Sequence, residues 1–581
     1  MQRVISPQPG VIDDSPSRSR LTDFLVMAAG LALFYGVLSI ARTWFNPITP
    51  EVPISLSPSS LPLYAAFSLL RIGVAYVISL TFAIAYGYAA AYNDKAERIL
   101  LPALDILQSI PVLSFLPGVM LAMAALFPHS RAGLELGSIV LIFTGQTWNI
   151  AFSFYSSVKS IPGDLKEAAR INRFSLWQRF IELELPYSCI GLVWNSMMSV
   201  AGGWFFLMVC EMFPLGDRQI RLPGLGSYLQ TAANDGNVPA IFWGLGAMVS
   251  VIVLLDILVW RPVIAWSDKF KFEDVEGAST PTSAVLNLLR RSTLLAFIER
   301  RAFSPVGEKI TLLLAERDEI SADQPRRSVF RIWLERFVMA LALAAVAYGL
   351  FKAVVLLLGA GRDDWNEIGR GAIVTFLRVT AALVIGSAWT IPVGVLIGFN
   401  PRLAKIAQPL AQIAASIPAT GLFPVVLLLL LSAHLIQPGG GLGFASLLLM
   451  LLGTQWYVLF NVIAGAMAIP TDLKEAAQVF GFGALERWRF LIIPGIFPYL
   501  ITGLVTAAGG AWNASIVAEY MPFQGHVLTT TGLGATIAAS FDNFPRLLAA
   551  TVVMAAMVVT VNRLVWRRLY RVAQTRFKLE V

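Results

Sequence analysis

Polar side chains able to hold a small solute stand in the middle of otherwise apolar stretches. In the first part of the chain these are Thr144, Gln146, Thr147, Trp148 and Asn149, then Asn195, Ser196, Ser199 and Trp204. The second part offers Thr454, Gln455 and Trp456, then Thr502, Thr506, Trp512, Asn513 and Ser515. Amide, hydroxyl and indole groups donate hydrogen bonds without carrying a full charge, so they can hold a polar solute without trapping it. The same groups also act as hydrogen-bonding glue between membrane helices, and both readings stay open. Two carboxylates, Glu211 and Glu519, follow near the ends of these stretches, each upstream of a Gly-Leu-Gly (224–226 and 532–534). The first expectation for each is a brace that accepts N–H bonds from the Gly-Leu-Gly loop, and the second is a gate.

One long polar, helix-forming stretch occurs twice. Residues 161–186 read IPGDLKEAARINRFSLWQRFIELELP, and residues 469–494 read IPTDLKEAAQVFGFGALERWRFLIIP. Pro470 stands 308 positions after Pro162, and Pro494 stands 308 after Pro186. Repetition at fixed register marks two homologous halves. Each copy opens with Ile-Pro and an acid, Asp164 or Asp472, which suits a helix start. Glu167-Ala168-Ala169 and Glu475-Ala476-Ala477 are strong helix formers with a slim face. A second short helix is expected to end at Pro186 or Pro494. The spacing predicts a helix–turn–helix whose alanine face seats in a groove on another protein. Gly481 can supply a positive-φ turn in the second copy. The first copy has Arg173 there, and Asn172 is expected to take the left-handed conformation instead.

These elements must be positioned by a membrane protein. Of 581 residues, 56% are apolar and 14% charged, with a mean hydropathy of +0.69; a soluble domain is about a quarter charged. At roughly 20 apolar residues per crossing, spans are predicted at 22–42, 63–92, 110–127, 134–158, 188–212 and 240–265. The second half gives 333–358, 370–399, 413–434, 442–466, 495–519 and 545–566. The fold class is thus all-α and polytopic, with about twelve transmembrane helices in two tandem six-helix domains. Pro117 and Pro424 are expected to kink or break the third span of each half. Basic residues, among them Arg18, Arg20, Lys95, Arg98, Arg402, Lys405, Arg567 and Arg568, place both repeated loops and both termini on the cytosolic side. The domains read as a disordered cytosolic tail (1–20), a first membrane domain (21–266), a cytosolic linker (267–331) and a second membrane domain (332–581). The net charge of +8 fits cytosolic loops near anionic membrane lipid and needs no nucleic acid. Cys189 and Cys210 fall in one predicted span, and neither a disulfide framework nor metal-ligand spacing is present. The N-terminal stretch does not read as a signal peptide. Arg71 and Arg378 lie toward the outer ends of their spans and are expected to snorkel to the interface.

The pattern E-A-A-x-x-x-G, followed about seventeen residues on by Leu-Pro or Ile-Pro, resembles the coupling loop of ABC-importer permeases. Gln108-Ser109-Ile110-Pro111 with Pro117, Ala415-Ser416-Ile417-Pro418 with Pro424, Leu70-Arg71, Leu377-Arg378 and the Glu–Gly-Leu-Gly pairs resemble the nitrate/sulfonate/taurine type. The resemblance implies a type I ABC importer fold in a bacterial cytoplasmic (inner) membrane. It implies two ABC ATPase subunits, an extracytoplasmic substrate-binding protein and a small anion such as nitrate, a sulfonate, taurine or bicarbonate. ATPase coupling would then rest on Asp164, Glu167, Ala168, Ala169 and Pro186, and on Asp472, Glu475, Ala476, Ala477, Gly481 and Pro494. The pathway would lie between the halves, on Gln146, Trp148, Asn149, Ser199 and Trp204 with Gln455, Trp456, Trp512, Asn513 and Ser515. No GxxxxGK[ST] occurs in the chain, so no catalytic residue or bound cofactor is expected, and ATP and Mg2+ belong on partner subunits. A ferric-ion importer is an alternative cargo assignment. An ion-coupled secondary transporter would need ionisable groups near the membrane midplane, where the chain has almost none.

Overall fold

The computed structural model describes residues 52–128, 130–215, 218–270, 283–293, 329–432, 442–523, 526–540 and 542–576, with isolated positions between 23 and 44 and at 297 and 301. The expected tail 1–20, most of the first span 22–42 and most of the linker 267–331 lie outside the described residues.

The first half runs α1 (Leu61–Tyr92), α2 (Asp94–Ser109), α3 (Leu116–Leu126), α4 (Ala132–Lys159), α5 (Gly163–Ile171), α6 (Leu176–Arg179) and α7 (Leu185–Glu211). A hairpin of β1 (Met212–Leu215) and β2 (Arg218–Arg221) follows, then α8 (Leu225–Asn234), α9 (Val238–Leu255) and α10 (Arg261–Ser267). After the short α11 (Ala284–Arg290) the order repeats: α12 (Val329–Leu358), α13 (Arg362–Phe399), α14 (Pro401–Ser416), α15 (Ala419–Ser432), α16 (Gly443–Ala468), α17 (Thr471–Val479), α18 (Ala484–Glu486) and α19 (Ile493–Ala518). The chain continues with β3 (Tyr520–Phe523), β4 (His526–Thr529), α20 (Leu533–Ala539), α21 (Phe544–Val561) and α22 (Arg567–Arg576). Among the described residues, seven helices are long and apolar enough to cross a membrane.

Local sequence explains the recurring boundaries. Asn93 ends α1 in an extended conformation, and its side chain accepts the Lys95 and Ala96 N–H groups at the start of α2. Asn400 does the same for Arg402 and Leu403; Asn is among the preferred helix caps. The third span of the first half is broken: α2 and the segment leading into α3 meet at 85°. The break falls at Ile110 and not at Pro117, because Pro111 forces the residue before it out of the helical region. Ile417, before Pro418, is extended for the same reason. Pro117 sits in the first turn of α3, where a missing N–H costs nothing.

The two antiparallel hairpins were not legible in the hydropathy. They pair Met212 with Arg221 and Tyr520 with Thr529. Each begins directly at the carboxylate residue, since Leu222 N–H donates to Glu211 O and Thr530 N–H to Glu519 O.

The chain forms two compact units. One holds residues 1–43, 156–194 and 254–329; the other holds 44–155, 195–253 and 330–581. In the larger unit α13, α16 and α19 pack around Val395, Val458, Val462, Ala466 and Ile496. Gly503 of α19 lies so close to Asn461 and the Tyr457 carbonyl that a side chain would force the helices apart, as small-residue packing in membranes requires.

Candidate functional site

The repeated loops adopt the same fold. In the first, Phe174 N–H donates to Ala169 O and Arg173 N–H to Arg170 O; in the second, Phe482 donates to Ala477 O and Gly481 to Gln478 O. This pair of bonds closes a helix end through one left-handed residue. That residue is Arg173 (φ 51°) in the first loop and Gly481 (φ 70°) in the second. Asn172 keeps φ at −77° and donates its side-chain amide to Ala168 O. The expectation for Asn172 is thus corrected, because the helix-end hydrogen bonds fix which position must turn. Arg173 accepts a conformation that costs a non-glycine residue about 1–2 kcal/mol.

The second helices do not end at Pro186 and Pro494. One π-turn (residues 180–184) joins α6 to α7, and another (487–492) joins α18 to α19. Single helices therefore run over Leu176–Glu211 and Ala484–Ala518. The wider turn accommodates the proline, which would clash with the carbonyl of an ordinary helical turn. The loop surface also differs from a simple alanine face. Ala169 and Ala477 are buried in their own chain, whereas Glu167, Ala168 and Glu475 are exposed and Ala476 is half-buried. Asp164 and Asp472 are exposed in their first turns. The tips are apolar: Ile171 is 75% exposed, and Val479 and Leu485 are 84% and 81% exposed.

The mid-span polar residues sit mainly at helix crossings within each half. Gln146 is buried, its amide has no hydrogen-bond partner, and it presses against Gly203 of α7. Thr147, the Trp148 indole N–H and Ser199 Oγ are likewise sequestered without partners. Trp148 stands edge-on to Phe82 and Tyr86, and Asn149 is exposed. In the second half, Gln455 Oε1 accepts from Trp389 Nε1 at 3.2 Å, and Trp456 packs beside Leu459 and Ile463. Ser515 Oγ donates to the Trp512 carbonyl. Trp204 and Trp512 are buried at matching positions. Asn513 reaches the other half, where its Oδ1 accepts from Leu113 N–H at 3.4 Å.

Each Glu–Gly-Leu-Gly pair closes into a clasp. Glu211 accepts Gly226 N–H at 2.6 Å, Ser68 Oγ at 2.6 Å and Arg71 Nη1 at 2.7 Å. Ser68 Oγ in turn accepts Leu225 N–H. Glu519 accepts Gly534 N–H, Thr375 Oγ1 and Arg378 Nη1, each at 2.8 Å, and Thr375 accepts Leu533 N–H. Neither arginine snorkels: Arg71 is wholly buried, and the Arg378 side chain is 14% exposed. A guanidinium held by a buried carboxylate does not need the interface. Beside the clasps, a Cβ on Gly224 or Gly532 would collide with the Glu211 or Glu519 carboxylate. The clasps differ in one respect. Arg71 also donates to both oxygens of Glu135, at 2.5 and 2.8 Å. The position 308 residues on is Gly443, and Arg378 donates instead to Thr530 Oγ1. The first clasp thus joins two carboxylates to one guanidinium, the second one to one. A Ser or Thr three residues before each arginine, on one helix face, was the available sequence signal; nothing marked Glu135.

Between the halves, inside the larger unit, lies a cavity of about 150 Å³. Repeat-related residues line it: Leu116 and Phe423, Pro117 and Pro424, Met208 and Ile516. Val209 and Val517, Met212 and Tyr520, and Leu229 and Ile537 continue the pairing. None of its described lining residues is charged, and none of the ten mid-span residues expected on the pathway lines it.

Residues 79–267 and 390–578 each match the model of a binding-protein-dependent transport system inner membrane component. The chain is 24% identical to a nitrate import permease of Synechococcus elongatus, over 28% of this chain and 54% of that protein. It is 29% identical to a bicarbonate transport system permease of the same species, over 25% of this chain and 50% of the relative. Against a taurine transport system permease of Escherichia coli it is 26% identical, over 34% of this chain and 62% of the relative. The chain spans about half to three-fifths of the length of these relatives.

Proposed function

The chain belongs to the binding-protein-dependent transport inner membrane components, and we propose that it alone forms the whole transmembrane part of an ATP-driven importer. It is a multi-pass permease of the nitrate, taurine and bicarbonate transporter type. In the proposed assembly an extracytoplasmic binding protein delivers a small anion, and two ABC ATPase subunits hold ATP and Mg2+. The repeated loops and both termini face the cytosol.

The observation that carries this reading is the loop and the rod it caps. In the second half, the exposed Glu475 and the apolar tip Val479, Phe480 and Leu485 offer a cleft one charge and one greasy anchor. The helix beginning beside that tip runs unbroken for 35 residues, Ala484–Ala518, about 52 Å at 1.5 Å per residue. Its far end supplies Ile516 and Val517 to the cavity wall and leads directly into the Glu519 clasp. A stiff helix passes a displacement at the loop to the cavity, so ATP binding on a partner can open or close the cavity without chemistry in this chain.

The test is Glu475→Lys and Glu167→Lys in the complex reconstituted with its ATPase. Insertion and expression should remain, because both residues are exposed. ATP hydrolysis should lose its dependence on the loaded binding protein, and uptake should fall at least tenfold. Undiminished uptake by both variants would remove the coupling role from these loops.

A further inference from the structure

We propose that a groove between the start of α2 and the last helix binds the head of a membrane phospholipid carrying a phosphodiester and a primary ammonium, as phosphatidylethanolamine does. The lipid fastens the first half of the permease to the second at the cytosolic face. The side of the membrane rests on the orientation proposed above; the groove itself does not.

The groove has a volume of about 530 Å³ and lies within the larger unit. Asp94, Glu97, Arg98, Leu101 and Pro102 of α2 line it from the first half, and Arg567 of α22 from the second. Two guanidinium and two carboxylate groups share the lining, so it is neutral overall. Glu97 accepts the Tyr155 O–H at 2.6 Å. Among the described residues, the Asp94 carboxylate and both guanidinium groups have no protein partner, and all three residues are exposed. The surroundings place the groove at headgroup depth. Helix α1 ends at Tyr92, just before it, and Tyr88 and Tyr92 stack there with ring centroids 4.9 Å apart. Arg567 comes late in an apolar helix running Phe544–Ala573, directly after Trp566. Tyrosine and tryptophan collect where a membrane meets water. Ile99, Leu564 and Val565 are exposed aliphatic neighbours of the charged groups along the chain, and acyl chains can cover them. A pair of guanidinium groups matches a phosphate, which accepts their N–H bonds. The carboxylates decide the rest of the head. A glycerol head adds only neutral hydroxyls and leaves the Asp94 charge unmatched. A choline head has no N–H to donate and is held best by an aromatic cage; among the described residues no aromatic side chain lines this groove. A primary ammonium brings three N–H donors, enough for Asp94 and the second oxygen of Glu97.

The test uses the full-length permease, purified in detergent, stripped of lipid and titrated with one lipid at a time in native mass spectrometry. The probes are phosphatidylethanolamine, its N-monomethyl and N,N-dimethyl derivatives, phosphatidylcholine and phosphatidylglycerol, all with the same acyl chains. Occupancy should fall stepwise along the methylation series. Phosphatidylethanolamine should bind about tenfold tighter than phosphatidylcholine, the factor that one lost charge-assisted hydrogen bond supplies. Asp94→Asn should remove most of that preference, and Arg567→Gln should weaken every lipid about tenfold. Arg568→Gln, an exposed neighbour outside the groove lining, should change neither. The substituted residues are exposed, so the variants should fold; phosphatidylethanolamine should raise the unfolding temperature of the wild type but not of the double variant Arg98→Gln, Arg567→Gln. Equal binding of phosphatidylethanolamine, phosphatidylcholine and phosphatidylglycerol would overturn the proposal, as would an undiminished preference in Asp94→Asn. Displacement by water-soluble phosphoethanolamine at a concentration equal to the lipid would overturn it too, by making the ligand a soluble phosphate ester. None of these outcomes touches transport, so the importer reading stands or falls separately by the uptake test above.

Discussion

Replacing Arg71 with Met would leave Glu135 and Glu211 buried side by side with no positive charge between them. Removing one partner of a buried ion pair costs about 3–5 kcal/mol, because the abandoned charge stays out of water. Arg71 serves two carboxylates and is wholly buried, so the loss should reach the top of that range. Arg378→Met abandons only Glu519, which keeps its bonds from Gly534 and Thr375, and the Arg378 side chain is already 14% exposed. Its cost should lie near or below about 3 kcal/mol. Adding Glu135→Gln to Arg71→Met should recover part of the loss by removing one of the two stranded charges. Cys210 offers a local reporter, since it is buried immediately beside Glu211. In a Cys189→Ser background, a fluorogenic thiol reagent added during heating reads the temperature at which Cys210 becomes accessible. At about 2 °C per kcal/mol for a large domain, Arg71→Met should shift that temperature down by about 10 °C and Arg378→Met by about 6 °C or less. An unshifted Arg71→Met, or a larger shift for Arg378→Met, would refute the charge accounting of the two clasps.

Two further outcomes follow from backbone geometry. Arg173→Gly should stabilise the first loop by about 1 kcal/mol, by relieving the left-handed conformation, whereas Gly481→Ala should cost a similar amount; limited proteolysis of the loops in the isolated permease reads both. Gly532→Ala and Gly224→Ala should each expel the clasp carboxylate and cost at least about 2 kcal/mol, seen as early labelling of Cys210 for Gly224→Ala and as a lowered unfolding temperature for Gly532→Ala. Normal behaviour of both would show that the Glu–Gly-Leu-Gly contacts are not tight.

The sequence by itself determined what depends on local composition and on repetition. Apolar length marks where most of the spans lie, but the break in the first half's third span falls before Pro111 and not at Pro117, the proline that stands inside the apolar stretch. The offset of 308 between Pro162 and Pro470 established the duplication before any coordinate was needed. The acid-plus-Gly-Leu-Gly pattern led to the N–H bonds that Glu211 and Glu519 accept. The tertiary structure decided what depends on distant partners. Arg71 looks like an interfacial arginine until α4 brings Glu135 against it from 64 residues away. Gln146 and Gln455 look alike in sequence, yet a tryptophan from α13 satisfies Gln455 while Gln146 remains unpartnered. The cavity was not legible because its lining is ordinary apolar residues. Leu116, Met208 and Phe423 carry no pattern that separates a wall from a core, and only the packing of one half on the other leaves space between them.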